Sequence, residues 1–291
     1  MPADVPLTVE QRVLEAATRL PPGSMVTGWA ALRLAGAAWF DGLAPDGVRL
    51  LPVPVLLPHA SRIRSAGVLV TRTRQVLPVP VARSGIPCAP SETALLHELR
   101  RATSARRAGV AVDMALAAGV VDLARLREAA GRLRGAAAYA IERACAECRS
   151  PKESEMLQVW EGDLGFPRPL MNREVIDRSG RVLAVVDLVE DASGTYGEYN
   201  GAAHRSRDRQ RRDEARAAAL RDVGLEGFVI VAGDSEQVWR QRMRSARSRA
   251  SWLPADERPW RLGRFVPAPP LPHPDEAALD AMMLDHYRSL E

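Results

Sequence analysis

The segment "GTYGEYNGAAHR", residues 194–205, gathers Glu198, Asn200 and His204, and a short way upstream Asp187 interrupts the apolar run "AVVDLVED". Burying a lone carboxylate costs several kcal/mol unless it is paired, hydrogen-bonded or bound to a metal. Strand alternation puts Glu198 and Asn200 on one face and Gly197 and Tyr199 on the other. If the strands carrying Asp187 and Glu198 are neighbours, the two carboxylates converge near the strand ends. Two acids so placed repel each other without a cation and are good ligands for Mg²⁺ or Mn²⁺, which retain waters to deliver to a phosphate.

Other residues extend this constellation. Glu153 or Glu155, at the start of the preceding helix, offers a third carboxylate that would hydrogen-bond metal-bound water; the alternative is that both acids simply favour a helix N-terminus. His204 follows Asn200 across the small residues "GAA", where a neutral imidazole can take a proton from water or steady a leaving oxygen. A histidine at a strand exit is also commonly just exposed. The helix "RSRDRQRRDEARAAALRDVG" crowds Arg205, Arg207, Arg209, Arg211 and Arg212 at its beginning. Cations there oppose the helix dipole by about a few tenths of a kcal/mol each. A phosphodiester backbone would offset that, with Arg205, Arg207 and Arg211 as its contacts. A solvated face with ion pairs through Asp208, Asp213 and Glu214 is the plainer reading.

The elements that must position these residues begin at "RSPKESE". A helix over about 152–162 leads to the strands "NREVID" and "RVLAVVDLVE", joined by the turn "DRSG", and to a third strand across "TYGEYNG". The Arg-rich helix over about 206–223, the strand "GFVIVAG" and a helix over about 234–248 follow. The Pro-rich tail from residue 251 reads as an extended arm ending in a short helix. Upstream, residues 1–148 read as a mainly helical unit with two short strands, "LPVPVLL" and "GVLVTRT". Helix, short helix and strand pair are compatible with a winged-helix DNA reader and with many other small domains. The expected division is therefore 1–148, 149–250 and 251–291.

With 291 residues and 46% hydrophobic content, the chain can build real cores, which excludes disorder throughout. The net charge of +4 is modest, and Lys152 is the single lysine among 40 basic residues. The positive charge is therefore almost all guanidinium, suited to phosphate. No long uninterrupted apolar run and no basic leader are apparent, so a soluble, cytoplasmic protein without a membrane partner is expected. Cys145 and Cys148, in "ERACAECRS", have the spacing of a redox pair or half a zinc site; without a second pair they read as reduced residues on a helix face.

The second half, over about 151–248, resembles the PD-(D/E)xK nuclease superfamily, in particular the very-short-patch-repair-like endonuclease domains. The family's "ExDGxxH" segment appears here as "EYNGAAH". The resemblance implies an α/β, restriction-endonuclease-like αβββαβ core, with the family's acidic residues on Glu153, Asp187 and Glu198 and its histidine on His204. It further implies Mg²⁺ or Mn²⁺ held by Asp187 and Glu198. The family's second aspartate falls on Asn200, and its usual lysine is absent; Asn200 can offer an oxygen to a metal but carries no charge and is no base. The first half resembles, more loosely, AbiEi-type antitoxin or transcriptional regulator domains through "VTGWAALRLAG", "PSETALLHEL", "VDMAL" and "LREAAGRLRG".

Two functions follow as expectations. One is a divalent-metal-dependent DNA endonuclease in a defence or toxin–antitoxin setting. The other is a non-catalytic DNA-binding regulator, or an antitoxin with a protein partner, that keeps a degenerate nuclease fold. Function follows the site and not the fold, so the geometry of Asp187 and Glu198 carries the distinction.

Overall fold

The computed structural model describes residues 8–44, 46–63, 66–131, 133–201 and 207–269. The chain is mixed α/β, with two mixed five-stranded sheets and, among the described residues, nine α-helices. The first part runs α1 (Val9–Ala17), β1 (Met25–Val26), α2 (Gly28–Leu34), β2 (Val53–Pro58), β3 (Val68–Thr73), β4 (Val81–Arg83) and β5 (Ile86–Cys88). It continues through α3 (Ser91–Arg101), α4 (Ala105–Ala117), α5 (Leu123–Ala130) and α6 (Ala136–Glu142). Its sheet has the order β3-β2-β1-β5-β4, with β2 and β3 parallel. Among its described residues this unit carries six helices, and its sheet adds to the two expected strands β1, β4 and β5, which are too short to show a period. One expectation is corrected: the strand pair expected to form a wing is parallel, and parallel neighbours cannot make a hairpin.

The second part runs α7 (Pro151–Gln158), a π-helical turn (Val159–Asp163), β6 (Leu170–Asp177), β7 (Val182–Glu190), β8 (Thr195–Asn200), α8 (Arg207–Asp222), β9 (Glu226–Val231), α9 (Glu236–Arg249) and β10 (Trp260–Phe265). The sheet order is β10-β6-β7-β8-β9, antiparallel except for the parallel pair β8–β9. A parallel neighbour needs a crossover, and α8 supplies it. One face packs Met156, Leu157 and Trp160 with Trp239 and Met243 of α9 against Met171, Leu188 and Phe228. The other packs Leu220 of α8 with Val175, Val186 and Tyr196. The sheet is therefore sandwiched between α7 and α9 on one side and α8 on the other. The expected Pro-rich arm is corrected over 260–265, where β10 pairs with β6 and buries Trp260; its expected terminal helix lies outside the described residues.

Buried contacts cross the junction near residue 148. Met114 of α4 packs in the second sheet's core, and Asp113 accepts a hydrogen bond from Ser154 Oγ at 2.6 Å, with both residues buried. Gly109 lets α4 approach closely, since a Cβ there would fall 2.7 Å from the Gln158 amide. Arg106 reaches across to Asp163 at 2.8 Å and also pairs with Glu236.

Candidate functional site

Strands β6 and β7 carry a shared irregularity that shapes the site. Met171 pairs with Leu188 and Arg173 with Val186, which sets Asn172 across from Asp187. Asn172 has a left-handed backbone, φ 52°, a conformation that asparagine tolerates better than most residues. Met171 and Leu188 face α7 and α9, whereas Val175 and Val186 face α8. An even spacing along a regular strand would keep each pair on one face. The faces thus exchange at Asn172 and Asp187 in both strands together.

Asp187 also stands at a fork. β7 and β8 pair from Glu190↔Thr195 to Leu188↔Gly197, and one step further Asp187 would face Glu198. There the Asp187 carboxylate takes the backbone N–H of Tyr199 through Oδ2 at 2.8 Å. The side chain thus satisfies a donor of β8 just beyond the last paired residues. Gly197 permits the close packing beside this point, because a Cβ would meet the Phe228 ring at 2.2 Å.

Glu198, on the α8 face, is ion-paired to Arg216 of α8, with Oε2 and Nη2 2.5 Å apart. Its other oxygen, Oε1, is buried without a hydrogen-bond partner among the described residues. Burial pushes the Glu198 carboxyl up to about 7; Arg216 opposes this, and Asp187 and Asp213 reinforce it. A short ion pair and a raised pKa pull in opposite directions. The raised value prevails, since one guanidinium must offset both desolvation and two like charges. Burial raises Asp187 as well, opposed by the Tyr199 N–H, Arg149 and Arg216.

Glu153 occupies the third turn position of α7, in the capping segment "SPKE". Ser150 Oγ accepts the Glu153 N–H at 3.3 Å and pairs with Oε1 at 3.1 Å, while Pro151 suits the first helical position. Oε2 accepts from the Arg149 N–H at 2.8 Å and from Asn172 Nδ2 at 2.7 Å. Burial, then repulsion from Asp187, raises its pKa. Glu153 is therefore buried, near enough to Asp187 to feel its charge, and held by three donors. That arrangement positions α7 and Asn172; it leaves Glu153 little freedom as a ligand. Asn172 completes the network by donating to the Glu147 carbonyl at 2.8 Å and accepting from Arg149 Nη1 at 3.1 Å.

The structure thus brings Glu153, Asp187 and Glu198 into one electrostatic neighbourhood. Asn200 ends β8 two residues beyond Glu198, its carbonyl accepting the Ala232 N–H at 3.0 Å. Arg211 is exposed on α8, and Arg207 opens that helix. His204 and Arg205 lie outside the described residues, as does the side chain of Arg207. Glu155 is paired to Lys152 at 2.7 Å, away from the cluster. No group of three or more acids, histidines and cysteines among the described residues is arranged to hold a metal ion.

Sequence reasoning missed Arg216, Arg149 and Asn172. Arg216 is one arginine in a helix full of them, and only the register of α8 against β7 and β8 distinguishes it. Asn172 at a strand start carried a faint signal, since asparagine is unusual within an apolar strand. A cavity of about 540 Å³ adjoins this network, lined by Arg149, Glu153, Cys148 and Trp39 among others.

No protein-family model, no curated protein and no solved structure matches the chain. Among the described residues, no helix is long and apolar enough to cross a membrane.

Proposed function

We propose that the protein is a divalent-metal-dependent DNA endonuclease that hydrolyses phosphodiester bonds. The observation that carries this reading is the fork of β7 and β8, where Asp187 and Glu198 directly follow the last paired residues, Leu188 and Gly197, and Glu198 Oε1 is unpartnered among the described residues. A buried acid oxygen without a donor, beside a second acid of raised pKa, is what a cation would relieve. Mg²⁺ commonly takes one or two carboxylates and fills its octahedron with water, so two protein ligands suffice. Asp187 and Glu198 would hold it, and when bound it would lower the pKa of a water and polarise the phosphate.

The other residues act in their own right. Arg216 supplies the fixed positive charge beside Glu198 that the family's missing lysine would otherwise provide, and its planar guanidinium suits a phosphate oxygen. Arg149 and Asn172 fix Glu153 and hold α7 against the fork. Arg211, with Arg207, would contact the DNA backbone, and His204 would accept or return a proton at the scissile oxygen.

Purified protein assayed on single-stranded, duplex and mismatched DNA with Mg²⁺, Mn²⁺ or EDTA tests the reading. Metal-dependent nicking that Glu198→Gln abolishes supports it. Arg211→Ala should weaken DNA binding uniformly across sequences and reduce the salt slope by about one. Parent protein that cuts no more than Glu198→Gln, yet binds DNA, would give the place to a non-catalytic DNA-binding regulator or antitoxin. One observation favours that second reading: Arg216 already neutralises one oxygen of Glu198.

A further inference from the structure

The packing of α4 on α7 leaves open space beside it. A cavity of about 860 Å³ lies there, lined by the start of α4, Tyr139 of α6, the first turns of α7 and the end of the π-helical turn. Its volume falls within the roughly 300–1,000 Å³ usual for small-molecule sites, which favour the seams between units. Part of the lining is apolar and firmly packed: Met114 belongs to the core of the second sheet, and Phe40 and Val110 lie against it. Two further lining residues are aromatic rings left largely uncovered, Trp39 at 43% and Tyr139 at 40% exposure. An aromatic ring in the open forgoes much of the stabilisation its burial would bring. Tyr139 is held in place: the Arg143 guanidinium lies over its ring at 5.1 Å, and Gly162 seats its hydroxyl, since a Cβ there would fall 3.4 Å from that oxygen.

The charged residues of the lining are unevenly matched. Asp163 pairs with Arg106 and with Arg240 of α9, each at 2.8 Å, and Glu236 pairs with the same two arginines. Glu155 pairs with Lys152 at 2.7 Å. Every acid of the cavity therefore already has its cation. Arg107 is left over, exposed on α4 and without an ion pair among the described residues. Its own N–H donates to Ser104 Oγ at 3.2 Å, which fixes the backbone from which this guanidinium extends. With Arg240 counted, the cavity carries one positive charge in excess.

We propose that this cavity binds a small aromatic carboxylate, with its ring against Trp39 and Tyr139 and its carboxylate on the Arg107 guanidinium. Flat apolar surface accepts an aromatic ring in stacked or edge contact. The planar fork of a guanidinium matches a carboxylate through two parallel hydrogen bonds. A single excess charge suits a monoanion, whereas a phosphate monoester, carrying close to two charges, would be only half compensated. The first turn of α4 opens on the same cavity and adds partial positive charge to what Arg107 supplies. Neither Asp187 nor Glu198 lines the cavity, so the proposal stands apart from the nuclease reading and its test needs neither DNA nor metal.

Isothermal titration calorimetry of the full chain with naphthoate tests it. Naphthylmethanol supplies the ring without the charge, acetate the charge without the ring, and adenosine monophosphate a ring with a phosphate. Naphthoate should bind at one site per chain, and each of the others should bind about tenfold more weakly or worse. Arg107→Ala should weaken naphthoate by about tenfold, to the level of the alcohol, and Arg107→Lys should recover part of the loss. Arg127→Ala, which removes an exposed arginine of α5 outside the cavity, should change nothing. Ala105→Phe, which fills the cavity from α4 without altering its charge, should abolish binding. Circular dichroism of each variant establishes that it is folded, and the comparison of probes on the parent chain stands without any variant. No heat from naphthoate at millimolar concentration, an alcohol that binds as tightly as the acid, tighter binding of adenosine monophosphate, or equal losses in Arg107→Ala and Arg127→Ala would overturn the proposal.

Discussion

Asp187 accepts the backbone N–H of Tyr199 at 2.8 Å, so the carboxylate at the centre of the candidate site also serves the sheet that carries it. The two roles separate by substitution. Asp187→Asn retains an oxygen that can take the Tyr199 N–H, and should change unfolding free energy by less than about 1 kcal/mol. Asp187→Ala leaves a partly buried donor unmatched and should cost about 1–3 kcal/mol. Both should lose any rise in melting temperature that Mg²⁺ confers on the parent. Urea unfolding with and without Mg²⁺ measures all three; equal losses in the two variants would remove the structural role.

Glu198 makes stability depend on pH in a definite direction. Its folded pKa of about 7 lies above its ordinary value of 4.5, so the folded state holds the proton more tightly than the unfolded chain. Stability from this group is then fully present below 4.5 and is lost as pH rises through 7, at about 1.4 kcal/mol for each unit of separation. Glu198→Gln, which cannot ionise, should flatten this part of the curve and melt higher than the parent at pH 8. Calorimetry from pH 4 to 8 decides the matter. A variant that melts lower at pH 8 would mean that the Arg216 pair outweighs burial.

Asn172 combines a left-handed backbone with three hydrogen bonds. Asn172→Gly should keep the backbone and lose the bonds; Asn172→Ala should lose the bonds and add backbone strain of order 1 kcal/mol. Alanine is therefore expected to be the worse of the two, although glycine is ordinarily the poorer strand residue. Chemical denaturation of both proteins checks the order, and a more stable alanine variant would contradict the account of the kink.

The buried contacts between α4 and α7 predict a single unfolding transition for the whole chain. Asp113→Ala removes the acceptor for both the Cys145 N–H and Ser154 Oγ, and should destabilise by roughly 2–4 kcal/mol, the scale of two buried groups left unmatched. Ser154→Ala should do so by about half as much. Fluorescence and circular dichroism melts should coincide; two separated transitions in the parent would show that the halves fold independently.

The succession of β6, β7, β8, α8, β9 and α9 was legible because alternating apolar residues, the "DRSG" turn and "SPKE" each speak through local chemistry. Asp187 was legible for the same reason, as a carboxylate in an apolar run. β10 was hidden by its Pro-rich surroundings, and β1, β4 and β5 by their brevity. The pairing of Arg216 with Glu198 and of Asn172 with Glu153 depends on residues 18 and 19 positions apart. Nothing local distinguishes Arg216 from its neighbours in α8. "CAEC" continued a helical pattern past Glu142, and the loop conformation follows from the tie to Asp113, 32 residues away.

The close seat of Gly109 on Gln158 has a practical meaning for anyone grafting the second unit onto another scaffold. A chimera cut just before Ser150 would abandon α4 and expose the apolar flank of α7 on which it lies. Moving the cut back to Ser104 only shifts the wound, since Val112, Leu126 and Ile141 of α4, α5 and α6 share a core with Leu95 and Leu99 of α3, so the unit that can be transplanted intact is the whole chain.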